Sequence, residues 1–258
     1  MESQDNKSKE INDILVNFIK VMEENFPEEY LVNMYNNLLT LKILPKKDNF
    51  IDNFISLYVL GRYYYNKNKI KLYTENVDCV LNHELLHMSS FSKGNKLRFK
   101  GLDEAYTQFL ANYYFHENTL SYHILFVECL DKIMGHNVLS KLYLSGNLIG
   151  VVNFLEKIAS EEEIYCFIKN MNNLYNKSYY DFEKIQKYID EVYDFIVTLY
   201  ARRQYKKFNN NEINNEECYY TIIFYADQLR KNIKSLFGSN KKYLENDECD
   251  LRLRLELK

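Results

Sequence analysis

Seven glycines and two prolines among 258 residues leave this chain few places to turn sharply. Gly and Pro end helices and shape tight turns, so their scarcity excludes collagen and flexible linkers. It also disfavours a turn-dense β-sandwich and favours long helices. With 47% hydrophobic residues, the chain can bury the core of one large domain or two small ones. Its 33 basic and 36 acidic residues give a net charge of -3, which exerts no overall pull toward nucleic acid or an anionic membrane. The 24 tyrosines, with no Trp, follow no repeating frame. Coding bias toward Asn, Lys, Ile and Tyr accounts for them better than a stacking surface does.

Five cysteines, Cys79, Cys129, Cys166, Cys218 and Cys249, are widely spaced and form no CxxC pair. Buried free thiols in a reducing compartment are expected, and neither a disulfide framework nor a cysteine zinc site is. Residues 1–10 are polar and lack the apolar core of a signal peptide. No apolar run approaches the roughly 18–20 residues of a membrane helix. The expectation is a cytoplasmic protein with no nucleic-acid or membrane partner, although a leader removed from a precursor would leave the same sequence.

Ile11, Ile14, Leu15, Phe18, Ile19 and Met22 recur at helical spacing, and Pro27 opens a second helix to about residue 41. Two strand-like runs follow, 55–65 and 69–74, joined by Asn66-Lys67-Asn68 as a hairpin. The alternation of Ile70, Lys71, Leu72 and Tyr73 suits a half-buried or edge strand. From Val77 the pattern turns helical, with Val77, Val80, Leu81, Leu85 and Met88 as its apolar stripe. Helices are predicted over about 102–115 and 120–134, and helical patterns dominate to 238, notably 181–207 and 219–237. Asn209-Asn210-Asn211 breaks the last pair. Residues 251–257 alternate strictly, as a terminal strand would.

The chemistry concentrates at His83-Glu84-Leu85-Leu86-His87. Residues i and i+4 share one helix face, so the two imidazoles can grip a single ion. Zn²⁺ accepts such nitrogens and usually takes three protein ligands in a catalytic site. Glu84, between them, is placed to act as general base toward a water whose pKa the zinc lowers. Glu104, near the start of the next helix, is the candidate third ligand. The basic loop 93–100 is long enough to fold that helix back across the first.

These residues resemble the gluzincin class of zinc metallopeptidases. The match is His83-Glu84-x-x-His87 followed by Gly101-Leu102-x-Glu104-x-x-Thr107, with the preceding hairpin, over roughly residues 55–115. The resemblance implies Zn²⁺ bound by His83, His87 and Glu104, with Glu84 as catalytic base. With the strand and helix patterns along the rest of the chain, the expected architecture is a mainly helical α+β fold: a small antiparallel sheet, a zincin-like metal-binding helix and a large helical C-terminal region. The corresponding division is an N-terminal helical layer (1–50), a metal-binding core (51–136) and a C-terminal helical region (137–258).

Thr107 and Gln108 share the helix face of Glu104 and are candidates to orient the ligands. Asp103, adjacent to Glu104, is a rival metal ligand, but it lies about 100° around the helix and is better placed to stabilise the helix N-terminus. The donor that stabilises the oxyanion stays open among His116, His123, His136, Tyr106, Tyr113, Tyr114 and Tyr122. The expected activity is zinc-dependent hydrolysis of a protein or peptide substrate. The alternative is a regulatory or partner-binding protein on the same scaffold, of the ImmA/IrrE type or catalytically degenerate. Leu86 departs from the Gly common before the second histidine in that type. Substrate and oligomeric state leave no signature.

Overall fold

The computed structural model describes residues 2–57, 59–92, 99–117, 119, 121–176 and 182–237. Helix α1 (Glu2–Asn25) turns Ile11, Ile14, Phe18 and Met22 onto one buried face, as their spacing requires. Pro27 leads into a 3₁₀ turn rather than directly into a helix, and α2 (Val32–Leu38) follows. The chain then extends as β1 (Lys42–Leu44), a strand the sequence patterns do not announce.

The run 55–65 is not one strand. Its beginning completes a short helix, α3 (Phe50–Ile55), and only β2 (Gly61–Tyr64) is extended. Asn49 caps α3, its side chain accepting the Asp52 N–H at 2.8 Å. β2 pairs antiparallel with β3 (Lys69–Leu72), as the hairpin predicts, through a turn in which Asn68 takes a left-handed conformation, φ 42°. β1 adds to the other side of β3 in parallel, so the sheet is mixed and ordered β1-β3-β2. β3 is therefore the central strand and not an edge. Ile70 and Leu72 are buried.

Lys71 is buried as well, because it has partners. Its ammonium donates to Asp52 Oδ2 at 2.6 Å and to the Pro45 carbonyl at 2.9 Å. Burial opposes ionisation of Asp52, but Lys71 and the Lys47 N–H outweigh it and lower the pKa. The pair therefore contributes stability above the unfolded carboxyl pKa of about 3.9, and loses it as pH falls through the lower folded value. Asp52→Asn, which leaves Lys71 buried and unpaired, is expected to cost about 3 kcal/mol in urea unfolding at pH 7. The cost should shrink below about pH 4.

Helix α4 (Asp78–Ser90) carries the motif, and Val77, Val80, Leu81, Leu85 and Met88 are all buried, as the stripe predicts. Helix α5 (Lys100–Phe115) packs across α4, and α6 (Tyr122–Met134) and α7 (His136–Leu144) follow. Gly135, at φ 105°, makes the break between the last two. Helices α8 (Ile149–Leu155), α9 (Glu161–Asn176), α10 (Phe182–Asn209) and α11 (Asn215–Phe237) complete a mainly helical α+β fold. Ser160 and Glu163 cap α9 reciprocally, each accepting the other's backbone N–H. Asn211, left-handed at φ 59°, sits in the expected break after α10.

One hydrophobic cluster runs from Ile11 on α1 to Ile233 on α11. Cys129 and Cys218 are buried free thiols, whereas Cys166 is exposed. No helix among the described residues is long and apolar enough to cross a membrane. The loop expected at 93–100 falls mostly outside the described residues, and the alternating tail at 251–257 falls wholly outside them.

Candidate metal centre

Two crossing helices build the site. α4 presents His83, Glu84 and His87, and α5 brings Glu104 over them. At Gly101, α5 also lies close against α9. A Cβ at that position would stand 2.2 Å from the Met171 carbonyl oxygen of α9, and the Gly101 N–H donates to Asn172 Oδ1 at 2.8 Å. The glycine of the Gly-Leu-x-Glu segment thus allows the close approach of α5 to α9 about one turn before Glu104.

His83 Nε2 and His87 Nε2 stand 3.1 Å apart. Glu104 Oε2 lies 3.6 Å from the first and 3.3 Å from the second. A tetrahedral ion with bonds of about 2.0–2.1 Å separates its ligands by about 3.3 Å. The three atoms therefore already occupy one face of such a tetrahedron, with little rearrangement needed to close on a cation.

His87 is held from behind. Its Nδ1 lies 3.2 Å from Asp103 Oδ2 and 3.3 Å from Thr107 Oγ1. A proton on Nδ1 shared with Asp103 leaves the Nε2 lone pair directed at the cluster. Thr107 spends its hydroxyl proton on the Asp103 carbonyl at 2.8 Å, so Tyr143 of α7 donates to Thr107 at 2.5 Å. Burial opposes the charged form of His87, but Asp103 and Glu104 beside it win and raise its pKa. Burial likewise opposes ionisation of Glu104, and its bonds from His83 and His87 reverse that and lower its pKa strongly. The carboxylates of Asp103 and Glu104 thus favour positive charge at the centre.

Glu84 is buried, 7% exposed, against β2. An added Cβ at Gly61 would lie 3.2 Å from its carboxylate oxygen, and the Tyr63 N–H donates to the carboxylate. Burial raises the Glu84 pKa, with His87 and His83 opposing it. It is thus a carboxyl beside the ligand cluster rather than within it. No protein family, curated protein or solved structure matches this chain.

The remaining sequence candidates divide. Thr107 reaches His87, as its helix face predicts. Gln108 does not touch the ligands; its amide donates to Asn112 Oδ1 at 3.1 Å and Glu117 Oε2 at 2.8 Å. Tyr106 donates to Asp131, Tyr113 is exposed, and Tyr114 packs edge-on against Phe26. Tyr122 opens α6, and His116 is exposed beyond the end of α5. His123 bonds the Leu174 backbone, and its Nε2 is buried with no partner. The side chain of His136 lies outside the described residues. Asp103, expected to point away from the site, instead reaches His87. Sequence reasoning passed over two further contributors, Tyr143 and Tyr175, the latter donating its hydroxyl to Glu104 Oε1 at 3.2 Å. Tyr143 and Tyr175 arrive from helices far along the chain, where no local spacing marks them.

Proposed function

We propose that this chain is a zinc-dependent peptidase in which His83, His87 and Glu104 hold the ion and Glu84 is the general base. The observation that carries the reading is the triangle of 3.1, 3.3 and 3.6 Å between the three ligand atoms, with a buried carboxyl next to it. Two imidazoles and one carboxylate are a donor set suited to zinc. Bound there, zinc supplies Lewis acidity toward a carbonyl oxygen and lowers the pKa of water toward about 7.

The chain's own residues do the rest. Glu84, buried beside the histidines, takes a proton from the attacking water and returns it to the leaving amine. Asp103 and Thr107 keep the His87 ring in the ligating tautomer. Tyr175 steadies the Glu104 oxygen that faces away from the histidines. β2 is an edge strand beside Glu84, and an extended peptide is the substrate shape such an edge accommodates.

A peptide-library digest tests the reading. Cleavage should stop with a chelator and return with zinc. Glu104→Ala should weaken zinc binding at least 100-fold in a competition titration, because it removes a ligand. Unchanged affinity in that variant would reject Glu104 as a ligand, and cleavage indifferent to chelator would reject the mechanism.

A further inference from the structure

Helix α3 is inside out. Asp52 is its buried residue, whereas Phe50 is 85% exposed, Ile51 67% and Phe54 54%, with Leu57 just beyond at 72%. Phe50 and Phe54 stack on each other, ring centres 6.4 Å apart, on the outer side. The cause is local: Asp52 is tied to Lys71 and to the Lys47 N–H, and that anchor turns the apolar side chains outward. Single exposed hydrophobics need no explanation, but a contiguous set held outward by a buried ion pair marks a contact surface.

The same face is strongly basic. Strand register puts Lys42, Leu44, Arg62, Tyr64, Lys69 and Lys71 on the sheet side opposite Ile43 and Ile70. The bond between Asp52 and Lys71 sets α3 on that side. Residues 39–72 contain seven basic and two acidic residues, a net +5 in a chain whose total is -3. Lys42, Lys46, Lys47, Arg62, Lys67 and Lys69 form no ion pair among the described residues. The near-neutral total thus hides a local asymmetry.

We infer that this face docks on an anionic lipid surface, with Phe50, Ile51, Phe54 and Leu57 entering the interface and Lys42, Lys46, Lys47, Lys67, Lys69 and Arg62 resting on the headgroups. The charge complementarity chooses the occupant: apolar tips among unpaired cations match the acyl boundary beneath acidic headgroups. No helix among the described residues is long and apolar enough to span, and the proposed contact is interfacial. The inference does not depend on the peptidase reading, and its test involves no catalysis.

The chain has no Trp, so Phe50→Trp introduces a single emission centre on this face. With phosphatidylcholine vesicles containing 30% phosphatidylserine, its emission should shift to the blue. Phe224→Trp, on the exposed side of α11, should show no shift in the same suspension. Partitioning should fall roughly fivefold for each of Lys46→Gln and Lys47→Gln, and should weaken with salt. Replacing Phe50, Ile51 and Phe54 together with Ser should remove binding. Unchanged emission from Phe50→Trp with the anionic vesicles overturns the proposal, as does full binding by the triple Ser variant. A blue shift that grows with protein concentration in the absence of vesicles overturns it too, by making a second copy the occupant.

Discussion

Replacing Glu84 with Gln is expected to lower kcat/KM for peptide cleavage by about 10²–10⁴-fold while the metal stays bound. The carboxyl is next to the ligand cluster and is not one of the three atoms that form the triangle, so its loss removes a base and not a ligand. Glutamine has the same shape and can still accept the Tyr63 N–H. Stability should not suffer, because a buried carboxylate carries a desolvation cost that an amide does not. Thermal unfolding of the variant should therefore occur at the wild-type temperature or above it. Wild-type turnover by Glu84→Gln would remove Glu84 from the mechanism. Loss of the metal together with activity would instead make it part of the binding shell.

The second large effect is expected far from any reacting atom. Gly101→Ala places a methyl group 2.2 Å from the Met171 carbonyl oxygen and 2.8 Å from the Asn172 nitrogen, both backbone atoms that no side-chain rotation can move aside. Helices α5 and α9 must separate, at a cost of about 3 kcal/mol. Glu104 follows Gly101 by about one helical turn, so the same shift draws it from the histidines. Zinc affinity should fall at least tenfold in the folded fraction, alongside a lowered Tm. An alanine variant with unchanged Tm and affinity would show that the crossing has slack and that the glycine does not set the site.

The helix that carries His83, Glu84 and His87 was legible because three signals coincide there: histidines at i and i+4, a buried stripe on the other face, and a preceding hairpin. Glu104 was legible through its place in the following helix. Asp103 was misjudged because an angle of 100° from Glu104 was taken to point away from the site. An imidazole offers two nitrogens on opposite edges, however, and neighbouring carboxylates can reach one ring from both sides. The strand-like run begins at Ile55 in the sequence, whereas Ile55 ends α3, a helix whose inward position is filled by Asp52 and whose apolar residues face out. β1, three residues long, has too little pattern to announce itself, and its pairing moved β3 from edge to centre. Lys71 looked like a solvent-facing position because its partner lies in another element.

The reading stands or falls on the ion. The most direct measurement is elemental analysis of protein purified without chelators, for wild type and for His83→Ala with His87→Ala. The account predicts one zinc ion per wild-type chain and none in the double variant. A wild-type chain that carries no metal and takes up none from a stoichiometric excess of zinc would contradict it, as would equal zinc in the two proteins.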